Sequence, residues 1–142
     1  MKEQEMSKEE VYQAIQEFVE KNSGFMKYNK MHVEEIKDNY AKMSVELDEN
    51  SLNPMGIAHG GLLFGLADST MGMAARTNGA SAVTINSQID YIRPGKGKKI
   101  TAIATPLKVG KSTAVYRCEL YRDDGELCAT VTGTYYFLTR EI

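Results

Sequence analysis

Apolar and polar positions along this chain follow two different periods, and each change of period marks a change of predicted element. Near the start, a Ser-x-x-Glu capping box precedes apolar residues at helical spacing, which predicts a helix over about residues 7–21. The segments 31–38 and 40–47 show the alternation of short strands. After a polar loop, the almost continuous apolar segment from about His59 to Thr77 is typical of a buried helix.

The rest of the chain has the pattern of strands. Its segments are rich in β-branched and aromatic residues and are separated by Gly-containing turns, and Pro106 and Gly133 predict a bulge or bend in two of them. Four strands are predicted, at 82–92, 98–109, 112–122 and 126–138. The order of elements predicts a single α+β domain over residues 1–142, with a curved antiparallel sheet wrapped around one central helix and an extra N-terminal helix.

Composition narrows the class of protein. Apolar residues make up 42% and charged residues 25% of the 142 residues, as in an ordinary globular domain. The net charge of −2 offers no electrostatic footprint for nucleic acid, and no apolar run is long enough to cross a membrane. The N-terminal residues lack the apolar segment of a signal peptide, so we expect a cytoplasmic protein. The two cysteines are too few for a disulfide framework or a zinc site, and no His or Cys pair has the spacing of metal ligands.

One acid stands out inside the predicted central helix. On a helical wheel Asp68 falls within about 40° of Gly61, Gly65 and Gly72, so it lies on a stripe of glycines and not on a polar face. Glycine inside a helix costs about 1 kcal/mol relative to alanine, and the usual reason for it is the close approach of another backbone or of a ligand. Asp68 is therefore a candidate for chemistry, or else a carboxylate that is satisfied by backbone amides or stabilises a neighbouring helix.

The start of the same helix has a complementary property. His59, Gly60 and Gly61 open it, where the first amides lack helical acceptors and can stabilise negative charge on a carbonyl oxygen. Gly60 and Asp68 are separated by about 12 Å of helix, because each residue adds 1.5 Å. One substrate carbonyl cannot contact both in one chain. Either the two features are unrelated, or two antiparallel helices of a twofold dimer bring them together.

These residues resemble a known family. The pattern N-x-x-G-x-x-H-G-G followed by L-A-D, from Asn53 to Asp68, is similar to that of the hot-dog-fold acyl-CoA thioesterases of the phenylacetic-acid-pathway (PaaI-like) type. The Y-I-R-P-G segment at 91–95 and its surroundings extend the resemblance over about residues 28–139. It implies a hot-dog fold in a homo-oligomer, a dimer or a dimer of dimers, with the site at the dimer interface.

The resemblance also implies roles for individual residues. Asp68 would activate water as general base, or act as the nucleophile. The amide of Gly60 from the partner chain would polarise the thioester carbonyl, with Asn53 nearby. His59 would shape that end of the site, and Thr84 would position the water.

Substrate contacts are predicted around these groups. No cofactor is expected, because coenzyme A is part of the acyl-CoA substrate. Its phosphates would meet the basic turn formed by residues 93–99, which contains four cations, and its acyl group would lie against apolar residues of the helix start. The predicted substrate contacts are Gly61, Met55, Ile57, Leu62, Phe64, Arg93 and Lys96.

Two other functions remain open at this point. A hot-dog hydratase or dehydratase would need a histidine beside an acid, and besides His59 the chain offers only His32 in the first predicted strand. A non-catalytic acyl-CoA binding protein would keep the fold and the basic turn without needing Asp68. The acyl group and the choice between dimer and tetramer cannot be read from the sequence.

Overall fold

The structure is a computed structural model and describes residues 5–138. Two α-helices, α1 (Lys8–Asn22) and α2 (Gly24–Tyr28), precede strands β1 (Met31–Lys37) and β2 (Tyr40–Glu46). A short 3-10 turn, Glu49–Ser51, leads to the central helix α3 (Gly60–Arg76). The chain ends with β3 (Ala82–Tyr91), β4 (Lys99–Val109), β5 (Thr113–Arg122) and β6 (Leu127–Phe137).

All six strands form one antiparallel sheet in the order β1-β2-β4-β5-β6-β3. Helix α3 contacts every strand, because three of its faces carry Leu, Met and Ala side chains that the sheet covers. The predicted α+β architecture with one central helix is confirmed. The extent of the domain, 1–142, stays a prediction, since residues 1–4 and 139–142 lie outside the described residues.

The N-terminal helix is confirmed, with both hydrogen bonds of the capping box between Ser7 and Glu10. The sequence analysis missed α2, which Ser23 caps by accepting from the Met26 amide. Within residues 5–138 no helix combines the length and the apolar character that a membrane crossing requires.

The sheet irregularities fall close to where they were predicted. The register shifts between Pro106 and Lys108, as expected for a proline in a strand. Gly133 keeps its register, so no bulge lies at this residue, and a bend there stays a prediction. It lacks a side chain for another reason, because a Cβ at Gly133 would lie 2.9 Å from the Met71 Cε of α3. The bulge lies on the facing strand, between Thr84 and Asn86.

Candidate functional site

The carboxylate of Asp68 is held by two hydroxyl groups. Thr84 Oγ1 donates to Asp68 Oδ1 at 2.7 Å, and the Tyr135 hydroxyl donates to the same oxygen at 2.8 Å. The Tyr135 hydroxyl also lies 3.2 Å from the Asp68 backbone carbonyl. No hydrogen bond reaches Asp68 Oδ2 from the residues described. One carboxylate oxygen is therefore anchored and the other is available to a ligand or a water molecule.

The strands explain this geometry. Thr84 of β3 and Tyr135 of β6 are direct cross-strand partners, and the β3 bulge follows Thr84 at once. The Tyr135 ring is 1% exposed and packs edge-on against Tyr116. Burial and the nearby Asp68 charge raise the pKa of Tyr135 above its usual value. The phenol therefore stays protonated and acts as a fixed donor to the carboxylate.

A cleft of about 310 Å³ opens beside Asp68. Its walls come from α1, α2, α3 and the two strands that carry Thr84 and Tyr135. The lining residues are Phe18, Val19, Asn22, Ser23, Met26, Asp68, Ser69, Gly72, Met73, Arg76, Ala82, Thr84 and Tyr135. The two N-terminal helices thus form one side of the space that faces the acid.

The start of α3 is organised around its first two amides. His59 is the N-cap, and its Nδ1 accepts from the Gly61 amide at 2.8 Å. The Gly60 amide has no acceptor among the described residues. Tyr91 closes the other side, since its hydroxyl donates to the Gly60 carbonyl oxygen at 2.7 Å. The Gly60 N–H is thus an unused donor at the positive end of a helix.

Asn53 shapes the loop that leads to this helix. Its Oδ1 accepts from the amides of Met55 and Ile57, at 2.9 and 3.4 Å, and its backbone amide donates to the Ile57 carbonyl. A second cleft of about 380 Å³ lies here. Its lining residues are Asn53, Ile57, Ala58, Gly60, Leu63, Tyr91, Ile92, Arg93, Pro94 and Gly95.

The basic turn borders this second cleft. Arg93 lines it, donates from Nη1 to the Leu127 carbonyl at 2.9 Å and lies 3.5 Å from Glu126. Lys96 is exposed and lies outside the lining. At Gly97 φ is +109°, and a Cβ there would lie 2.3 Å from the Asp123 carboxylate, so only glycine fits.

The predicted site residues divide between the two clefts. Asp68 and Thr84 lie at the first, and Asn53, Gly60, Ile57 and Arg93 lie at the second. Of the others, His59 and Gly61 sit at the helix start, and Met55 is 82% exposed on the loop beside it. Leu62 is buried in the core, where the neighbouring Leu63 lines the second cleft in its place. Phe64 is half-buried against the core and lines neither cleft.

The glycine stripe has partly a local cause. A Cβ at Gly65 would lie 2.7 Å from the Phe25 ring, so α2 of the same chain occupies the space that this glycine leaves. The expectation that the whole stripe serves a partner helix or a ligand is therefore wrong at Gly65. Gly72 lies one turn beyond Asp68 and lines the first cleft, where the stripe remains open.

Sequence reasoning missed Tyr135 and the helical wall opposite Asp68. Tyr135 follows Val131 and Gly133 at alternate positions of β6, a period that indicates an inward-facing side chain. That signal predicts burial but not contact with the acid. The wall of α1 and α2 lies more than forty positions from Asp68 in sequence and carries no motif.

Among residues 5–138, the lining of the Asp68 cleft contains no histidine. His32 is exposed on β1 and lies 3.4 Å from Glu46, away from both clefts. Over residues 5–138 no group of three His, Cys, Asp or Glu side chains is arranged to hold a metal ion.

Comparison with known proteins gives consistent matches. The profile of the thioesterase superfamily matches residues 55–129. The acyl-coenzyme A thioesterase PaaI of Escherichia coli is 32% identical over 69% of this chain and 71% of its own. The structure of the E. coli PaaI protein from the phenylacetic acid degradation operon has a TM-score of 0.89 and 25% identity, covering 94% of this chain and 97% of that one. A hypothetical thioesterase of Streptococcus pneumoniae solved with coenzyme A has a TM-score of 0.74 and 26% identity, covering 79% of this chain and 88% of that one. The resemblance seen in the sequence and the hot-dog fold that it implies are confirmed.

Proposed function

We propose, because the chain belongs to the thioesterase superfamily, that it hydrolyses acyl-CoA thioesters to the free acid and coenzyme A at a site shared by two protomers. The observation that carries this proposal is the state of Asp68. Its carboxylate is anchored through Oδ1 by two hydroxyls, its Oδ2 has no hydrogen-bond partner among residues 5–138, and the residue lines an open cleft. A carboxylate satisfied only for structural reasons would not need the cleft or the unused oxygen.

The chemistry follows from these groups. Asp68 Oδ2 takes a proton from a water molecule as the water oxygen bonds to the thioester carbonyl carbon. The Thr84 hydroxyl donates to Asp68 and keeps acceptor capacity, so it can orient that water. The tetrahedral intermediate collapses with cleavage of the C–S bond, and the proton held by Asp68 goes to the departing thiolate. A general base typically contributes about 10²–10⁴-fold.

The oxyanion needs a donor that Asp68's own chain does not supply. Gly60 and Asp68 are eight positions apart in α3, about 12 Å along the axis. Asp68 lines the first cleft and Gly60 lines the second. In an antiparallel pair of α3 helices related by a twofold axis, the unused amide of Gly60 of the partner subunit would lie beside Asp68. Loss of one oxyanion donor typically lowers kcat by about 10²–10³-fold.

The sheet has a free edge that suits such a dimer. Strand β3 pairs only with β6 among residues 5–138, so one row of its backbone groups faces outward. It carries Val83 and Ile85, which are 46% and 57% exposed. Pairing of β3 with a second copy would cover these side chains and bring the two α3 helices together. The support for a homodimer is this edge together with the divided site.

The two clefts then have different tasks. The cleft that contains Gly60 would hold coenzyme A, with Arg93 near the phosphates and Lys96 at the outer turn. The Asp68 cleft of the facing protomer would take the acyl group. This revises the predicted acyl contacts, because Met55, Ile57, Leu62 and Phe64 lie on the coenzyme A side or in the core.

No cofactor is required, because a thioester has little resonance stabilisation. A cytoplasmic location fits a substrate of this kind.

The alternatives lack comparable support. A hydratase or dehydratase would need a histidine that acts together with the acid. His32 lies away from both clefts, and His59 serves as the N-cap of α3, with its Nδ1 accepting from the Gly61 amide. A non-catalytic acyl-CoA binding protein remains the outcome to exclude by experiment.

The test is release of free thiol from phenylacetyl-, hydroxybenzoyl- and C4 to C16 acyl-CoAs by the wild type and by Asp68→Asn at equal concentration. We expect turnover by the wild type and a loss of at least about a hundredfold in the variant, the contribution of a general base. Binding of coenzyme A without any turnover would refute the proposal that the protein is an enzyme. Full activity of Asp68→Asn would remove this residue from the mechanism.

A further inference from the structure

The Asp68 cleft contains one cation at its far end. Arg76 ends α3, eight positions from Asp68, and lines both the Asp68 cleft and a neighbouring groove between α1 and residues 79–81. This spacing is about 12 Å along the helix axis. Phe18 of α1 lines the same cleft, and the Arg76 guanidinium lies over its ring.

The guanidinium has no acidic partner within residues 5–138. None of the ion pairs there includes Arg76, and its recorded contact is with the Phe18 ring of α1, 5.8 Å from the guanidinium carbon to the ring centroid. A cation in the last turn also complements the helix dipole. That role alone does not require the side chain to line a cleft, so Arg76 can also bind a ligand.

The rest of the cleft between the two charges is partly polar. Asn22, Ser23 and Ser69 share it with apolar Val19 and Met73. Asn22 donates to the Phe18 carbonyl and Ser23 caps α2, so the group that a plain alkyl chain would leave without a polar partner is the guanidinium. An acyl group with a polar end would pair the cation and keep its apolar middle against the methionine.

We propose that the acyl-CoA substrates of this protein carry a carboxylate at the far end of the acyl group, which Arg76 binds. This rests on the proposed function, because it takes the Asp68 cleft as the acyl site. Arginine offers two parallel donors to a carboxylate, and partial burial strengthens the attraction. The negative charge of Asp68 repels the same carboxylate, so the two ends of the cleft together orient the substrate with its thioester at Asp68. Subtracting one or two contact distances of about 3 Å from the axial spacing of about 12 Å leaves about 6–9 Å, the length of a chain of about six to eight carbons.

Matched substrates test the assignment. Adipyl-CoA is compared with hexanoyl-CoA, and suberyl-CoA with octanoyl-CoA, since each pair differs only in the terminal carboxylate. We expect the wild type to favour the carboxylated member by about ten- to a hundredfold in kcat/KM, the value of one hydrogen bond between charged groups. Arg76→Met, which keeps the stem against Phe18, should bring the ratio towards one. The matched control is Lys21→Met, which removes an exposed cation of α1 outside the cleft lining and should leave the ratio unchanged.

Binding of the non-hydrolysable thioether analogues of the same pairs separates the two proposals. If the protein hydrolyses no acyl-CoA but binds the carboxylated thioether more tightly, and only when Arg76 is present, the catalytic proposal fails and this one stands. Equal kcat/KM and equal affinity for both members of a pair in the wild type would overturn it. A preference that survives in Arg76→Met would overturn it as well.

Discussion

Replacing Tyr135 by phenylalanine tests how Asp68 is held. The change removes one oxygen and leaves the ring, which packs edge-on against Tyr116 with centroids 6.0 Å apart. The lost group donates to Asp68 Oδ1 at 2.8 Å. A hydrogen bond to a charged group is worth about 1.5–3 kcal/mol. Because Thr84 still donates to the same oxygen at 2.7 Å, we expect the lower value.

We expect the variant to lose about 1.5 kcal/mol of transition-state stabilisation, because its carboxylate is held less firmly. This corresponds to a kcat about tenfold lower, with KM nearly unchanged. The assay is thiol release from the best acyl-CoA over a range of substrate concentrations, which separates kcat from KM, together with urea unfolding.

Tyr116→Phe is the matched control. Tyr116 is as buried as Tyr135, but its hydroxyl donates to Asn39 at 3.1 Å, away from the acid. We expect it to lose comparable stability while kcat and KM stay as in the wild type. If Tyr135→Phe changes stability alone, or if both variants lower kcat equally, Tyr135 has no role in positioning Asp68.

Other predictions concern groups outside the site. Burial raises the pKa of Cys118 and, to a smaller degree, of Cys128. Neither thiol should therefore react with a disulfide reagent until urea unfolds the chain. Rapid labelling of the native protein would contradict this. The pKa of Glu34 is lowered by the hydrogen bond from Ser44 and by Lys99, so its stabilisation is complete above the usual value of 4.5 and is lost as pH falls through the lower folded-state pKa. Urea unfolding of Glu34→Gln at pH 6 and below pH 4 should therefore show a weaker dependence on acid than the wild type does; an equal dependence would refute it.

The sequence predicts those features that depend on neighbours along the chain. The central helix was placed within one residue at each end, because the apolar run and the His-Gly-Gly start are local signals. The separation of Gly60 from Asp68 by about 12 Å followed from helix rise alone. Thr84 was assigned from the family resemblance, and the structure places it against Asp68.

Features made by distant segments were not predictable in this way. Tyr135 reaches Asp68 only because β6 pairs with β3 and both pass beneath α3. The wall of the Asp68 cleft, with Phe18 and Met26, depends on how α1 and α2 fold back, which no local pattern specifies. The acyl contacts were therefore predicted near the helix start, next to the motif.

Whether one site takes residues from two protomers can be measured directly by mixing inactive variants. Gly60→Pro removes the amide donor at a helix position where proline is tolerated. Gly60→Ala is its control, since it places the same Cβ 2.9 Å from the Tyr91 hydroxyl but keeps the N–H. Asp68→Asn removes the base.

Each of the two inactive variants alone should lose at least about a hundredfold in thiol release. After the two are unfolded together and refolded as a mixture, half of the dimers contain one of each, and one of their two sites is intact. We predict recovery of about a quarter of the wild-type activity. Gly60→Ala should remain much more active than Gly60→Pro. A mixture no more active than its components, although mixed dimers form, would contradict a site shared between protomers.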